Sequence, residues 1–79
     1  MSGFRINPAL LQFEADRSLA EGQRQQATSG AVAAGGSNQI VAAKVRAADI
    51  AYHRAVSASG QRNGVRVDNQ QALRDLGAA

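Results

Sequence analysis

The chain has no cysteine and no tryptophan. Without cysteine there is no disulfide staple and no thiolate zinc site. The only histidine is His53, and Asp49 is the one carboxylate at helical spacing from it. One His and one Asp do not close a coordination sphere, so no metal site is expected. Aromatics are limited to Phe4, Phe13 and Tyr52, and there is a single proline, Pro8. No run approaches the ~18 apolar residues of a membrane span, so no membrane contact is expected. Met1 to Ala9 carries one charge and no apolar core, which does not read as a secretory signal.

What is present is alanine. Of the 35 apolar residues among 79, 17 are Ala, leaving 18 larger ones to build a core. A chain of 8.2 kDa forms one domain at most. With so little large apolar area it is expected to be weakly stable alone and completed by a partner or by copies of itself.

The pattern predicts an all-α chain of two longer helices joined by a Gly/Ala linker, with a short C-terminal helix, extended or hairpin-like. Asn7-Pro8 opens helix one, because Asn is a good N-cap and Pro suits the first helical position. Helix one is expected over residues 8–29. Leu10, Phe13 and Ala20 lie on one row, and Leu11, Ala15 and Leu19 on a second. Its polar second half, with Gly22 inside, is expected to fray or lie against something else, and the whole helix is free to sit apart from the other two.

Residues 30–38 hold three glycines and no charge, and read as a flexible linker. Helix two is expected over 39–59, N-capped by Ser37 or Asn38 and ended by Gly60 as C′. Val41, Val45, Ala48, Tyr52, Val56 and Ser59 form its stripe. Ala43, Ala47, Ala51 and Ala55 form a small-residue ladder on which another helix could approach closely. Helix three is expected over 68–76. Asp68 would be its N-cap and Gln71 its N3 residue, with Leu73 and Leu76 facing inward. The interface anchors are thus Leu10, Phe13, Leu19, Val41, Val45, Tyr52, Val56, Leu73 and Leu76.

The formal charge is +3 and uneven. Residues 39–67 carry Lys44, Arg46, Arg54, Arg62 and Arg66 against Asp49 alone. Two readings follow. These five side chains could contact an anion or nucleic acid, or they form a solvated face or protein interface, for which Arg is well suited. Their spread over 23 residues favours the second.

No catalytic signature is present, and neither an enzyme nor a cofactor or small-molecule substrate is expected. Tyr52, His53 and Ser57 tempt a catalytic reading, but adjacent helical residues diverge by about 100°, so Tyr52 and His53 should not point together. A His53–Ser57 pair lacks an oxyanion hole and an orienting third group. Gly35-Gly36-Ser37 lacks the strand and the Lys of a phosphate loop.

The run Ala47-Ala48-Asp49-Ile50-Ala51-Tyr52-His53-Arg54-Ala55-Val56 and the ending Ala72-Leu73-Arg74-Asp75-Leu76-Gly77 resemble small accessory proteins encoded among tailed-phage structural genes. Those pair an "AD-x-A-Y-x-R" helix with a short "ALRxLG" helix. The likeness spans residues 47–78. It implies a non-enzymatic virion component, held in many copies at head, neck or tail and assembled in the host cytoplasm. Its partners would be larger structural proteins and copies of itself. The Asn63-Gly64-Val65 turn is similar to that of short helical docking domains, which implies protein binding. Without the phage likeness the expected location is cytoplasmic.

Overall fold

The computed structural model describes residues 6–78. Their order is α1 (Pro8–Ala34), α2 (Asn38–Asn63) and α3 (Gln70–Asp75), and no strand occurs among the described residues. The all-α, hairpin-like expectation holds. Asn7 caps α1 as expected, its side-chain oxygen accepting from the Ala9 N–H at 2.9 Å, with Pro8 in the first turn.

Helix one runs five residues beyond its expected end. Gly30 is followed by Ala31, Val32, Ala33 and Ala34, and alanine's propensity offsets the ~1 kcal/mol that one glycine costs. Ala31 is also buried, so packing rewards the extra turn. The expected linker shrinks to Gly35–Ser37. Gly35 and Gly36 have φ of 72° and 107°, which only glycine adopts cheaply. Ser37 then caps α2, its Oγ accepting from the Ile40 N–H at 3.2 Å. A three-residue connection forces α1 and α2 to be antiparallel neighbours. Helix one therefore does not sit apart, and its polar half packs on α2, with Ala20 and Ala31 buried.

Helix two also overruns, to Asn63. Gly60 is not its C′ residue but a buried position inside it. A Cβ there would lie 2.6 Å from Val67 Cγ2 and 2.7 Å from the Val65 carbonyl oxygen. The glycine lets the chain fold back across the helix. Gly64, left-handed at φ 67°, takes the terminating role.

Helix three is shorter than the expected 68–76 span. Its N-cap position is Asn69 rather than Asp68, and no side chain caps it. The Asn69 side chain is turned toward α2 instead. Its Nδ2 donates to the His53 carbonyl at 2.9 Å, and its Oδ1 accepts from Ser57 Oγ at 2.9 Å. Gln71, expected in a capping box, bonds Asp75 within its own helix. Gly77, at φ 78°, ends the turn, and the Ala78 N–H reaches the Leu73 carbonyl at 2.8 Å. Helix three packs on α2 alone.

The core is thin. Ala20, Ala31, Ala48, Val56 and Leu73 are its buried apolar members. Ala48 belongs to the α2 stripe. All four alanines of the ladder are exposed, and of them Ala51 and Ala55 line a crevice with Ala20 and Ala27.

Polar groups supplement this core. Ser59 is fully buried, and its Oγ donates to Asp16 Oδ2 at 2.7 Å across the hairpin. Asn63 Nδ2 donates to both the Ser59 carbonyl and Ser59 Oγ. Arg62 pairs with the same Asp16 oxygen at 3.3 Å. Further along the hairpin the Arg24 guanidinium sits 4.1 Å from the Tyr52 ring centroid.

Candidate docking surface

The nine expected anchors divide three ways. Val56 and Leu73 are 6% and 8% exposed and are spent on the chain's own core, so they are not free for a partner. Phe13, Val41, Val45, Tyr52 and Leu76 are half-buried. Leu10 and Leu19 are 49% and 63% exposed. Four further large apolar residues stand out in solvent: Ile6, Leu11, Val32 and Ile40.

Val41, Val45 and Leu76 come together. With Val32 they form the apolar part of an open groove of about 890 Å³ between the hairpin bend, the first half of α2 and the end of α3. Arg46, Asp49, Arg74 and Asp75 also line it. The sequence reading missed Val32, Asp49, Arg74 and Asp75. The available signal was the pair of large apolar residues, Val32 and Ile40, on either side of the Gly35-Gly36 bend. The other exposed anchors do not join this groove. Leu11 and Leu19 lie two turns apart on α1, with Ala15 between them.

The five basic residues do not converge. At about 100° per residue, Lys44 and Arg46 point to nearly opposite sides of α2. Arg62 shares the Lys44 side but lies about 27 Å along the axis. Arg62 is also partnered by Asp16. Lys44, Arg46, Arg54 and Arg66 are exposed.

Tyr52 and His53 do meet, contrary to the helical-wheel expectation. Their rings lie 5.1 Å apart at 74°, an edge-to-face contact that aromatic quadrupoles favour. Backbone vectors set where side chains start, and two long rings can still lean together. No His53–Ser57 bond forms, because the Ser57 hydroxyl donates to Asn69. At the bend, the Ser37 hydroxyl is likewise occupied, by the Ile40 N–H.

Two charged groups are perturbed. The hydrogen bond from Ser59, then that from Gln12, holds the Asp16 carboxyl below its ordinary value, with Arg62 adding to the effect and desolvation opposing it. The Glu14 carboxylate, then the Tyr52 hydroxyl, holds the Arg17 guanidinium above its own. The Asp16 shift belongs to contacts that cross the hairpin, whereas the Arg17–Glu14 pair lies within α1.

Among the described residues no cluster of three or more His, Cys, Asp or Glu could hold a metal ion, and no helix is long and apolar enough to cross a membrane. Comparison with family models, with curated proteins and with solved structures gives no match to this chain.

Proposed function

We propose that the chain is a non-enzymatic docking protein, a helical hairpin that completes its apolar surface on a larger assembly. The observation that carries this is the inversion of its apolar inventory. Among the described residues three of the five buried apolar ones are alanine, while Ile6, Leu10, Leu11, Leu19, Val32 and Ile40 are about half or more exposed. Val32 joins half-buried Val41, Val45 and Leu76 in one open groove, and a contiguous apolar patch of this kind supports an interaction role. The resemblance of residues 47–78 to tailed-phage accessory proteins supports a virion as the assembly. The basic residues are strung out over about 27 Å of α2, with Arg62 already paired to Asp16, and this spacing weighs against a compact nucleic-acid footprint.

The test is the composition of particles. Cells carrying the gene are induced, particles are banded by density, and the chain is quantified by mass spectrometry against the major structural protein. A fixed copy ratio that persists through a second banding is expected. Absence from the particles would sink the virion assignment. A salt titration with duplex DNA addresses the nucleic-acid alternative. A steep log–log slope would revive it, and no binding at low salt would remove it.

A further inference from the structure

We infer that the groove between the hairpin bend, α2 and α3 is a self-association surface, and that its occupant is the same groove on a second copy of this chain. The inference rests on the docking reading and names one partner for it. Val41 and Val45 from α2, Val32 from the end of α1 and Leu76 from the turn after α3 supply the apolar part. A lone apolar groove fits many occupants. The charges around this one narrow the choice.

Those charges are Arg46 and Asp49 on α2, and Arg74 and Asp75 on α3. They are two cations and two anions. The ion pairs among the described residues join Arg17 and Arg24 to Glu14 and Glu21, and Arg62 to Asp16. None involves the groove. Arg74 and Asp75 bond only to the neutral amide of Gln71. Three partners can be weighed on this basis. An acidic or basic partner would be repelled by half of the groove's charges. A purely apolar partner would strip water from four charges and return nothing, which is costly. A second copy related by a two-fold axis presents the same four charges in reversed order, so each cation can face an anion.

The hairpin leaves much surface open around the groove. The chain exposes 5650 Å², against about 4,500 Å² for a compact monomer of this mass. That excess belongs to the elongated hairpin as a whole, so a pair centred on the groove must also bury the flank of α2 beside it to approach the ~800 Å² each partner loses in a standard interface. The Cα radius of gyration says the same, at 15.7 Å against about 11.6 Å for a compact chain of this length.

The test is molar-mass measurement by light scattering on the purified full chain, followed by charge-reversed variants. The wild type is expected at twice the monomer mass at high micromolar concentration. The variant Arg46→Glu with Arg74→Glu makes the groove's charges wholly anionic, and Asp49→Lys with Asp75→Lys makes them wholly cationic. Each is expected to be monomeric alone with an unchanged helical circular dichroism spectrum. Mixed in equal amounts, the two are expected to form a heterodimer. Arg54→Glu with Arg66→Glu changes net charge as much as the first variant but lies outside the groove, and is expected to leave the dimer intact.

A wild type that stays monomeric across the concentration range overturns the inference. So does a dimer that survives both groove variants. Loss of the dimer on Leu11→Ser with Leu19→Ser but not on groove reversal would place the contact on α1 and also overturn it. These outcomes are separable from the particle test, because a monomer found in banded particles leaves the docking reading standing.

Discussion

At the scale of single residues, polar side chains do work that large apolar ones do elsewhere. Asp16 is the clearest case. Its folded pKa is lowered by Ser59 first and Gln12 second. A carboxylate whose folded pKa lies below its unfolded one stabilises the fold fully above the unfolded value and loses that contribution as pH falls through the folded value. Asp16→Asn should therefore lower the urea midpoint at neutral pH, and the gap from wild type should close as pH drops below the ordinary carboxylate range. A gap constant with pH would show that the charge is not what matters. Ser59→Ala removes the buried donor from the same contact and should cost about 1–2 kcal/mol in urea unfolding.

Gly60 makes the opposite point about a residue with no side chain. In a helix interior Gly→Ala ordinarily gains up to about 1 kcal/mol. At Gly60 the new methyl would meet the Val65 carbonyl oxygen at 2.7 Å, and a backbone atom cannot swing aside as a side chain can. The clash should win, so Gly60→Ala is expected to destabilise by about 1–3 kcal/mol. Gly22 and Gly30 also sit within a helix, but nothing lies within 4 Å of their Cβ positions. There Gly→Ala should raise stability by about 0.5–1 kcal/mol. Chemical denaturation of the three variants in parallel checks both signs.

At the scale of elements, the order and type of the helices were legible in the sequence, and their ends were not. Asn7-Pro8 marked the start of α1 because capping is local chemistry, decided within three residues. The other boundaries were settled by tertiary contacts that no local window contains. Gly30 looked like a linker residue, but Ala31 buries itself on α2 and carries the helix onward. Gly60 looked like a stop, but its use is to let Val65 and Val67 cross over it. Asp68 looked like a cap, but Asn69 spends its side chain on His53 and Ser57 and fixes where α3 begins. The candidate surface was half legible. Val41, Val45 and Leu76 were read from periodicity, whereas Arg74 and Asp75 join them only because α3 folds back along α2. That return depends on few contacts. Asn69→Ala should leave the Ser57 hydroxyl without its acceptor and the His53 carbonyl without its Asn69 donor. Amide exchange is then expected to speed up across residues 65–76 while α1 and α2 stay protected. Uniform acceleration along the whole chain would instead show that α3 is integral to the hairpin.

At the scale of the whole molecule, shape and stability are one problem. This chain, with five buried apolar residues among the described ones, exposes more surface than its mass warrants. Such a chain is expected to melt weakly as a monomer and to gain stability by mass action when a second copy covers the groove. Two protomers associating share RT ln 10, about 1.4 kcal/mol, for each tenfold rise in concentration, or about 0.7 kcal/mol per chain. In a domain of this length 1 kcal/mol moves the midpoint by about 4–8 °C. The melting temperature should therefore climb by roughly 3–6 °C per decade of protein concentration. Neither groove-reversed variant alone should show that slope, and their equimolar mixture should regain it. A sharp transition above about 60 °C that ignores concentration would describe a self-sufficient mesophile-like domain, and would remove the premise that this surface needs completing.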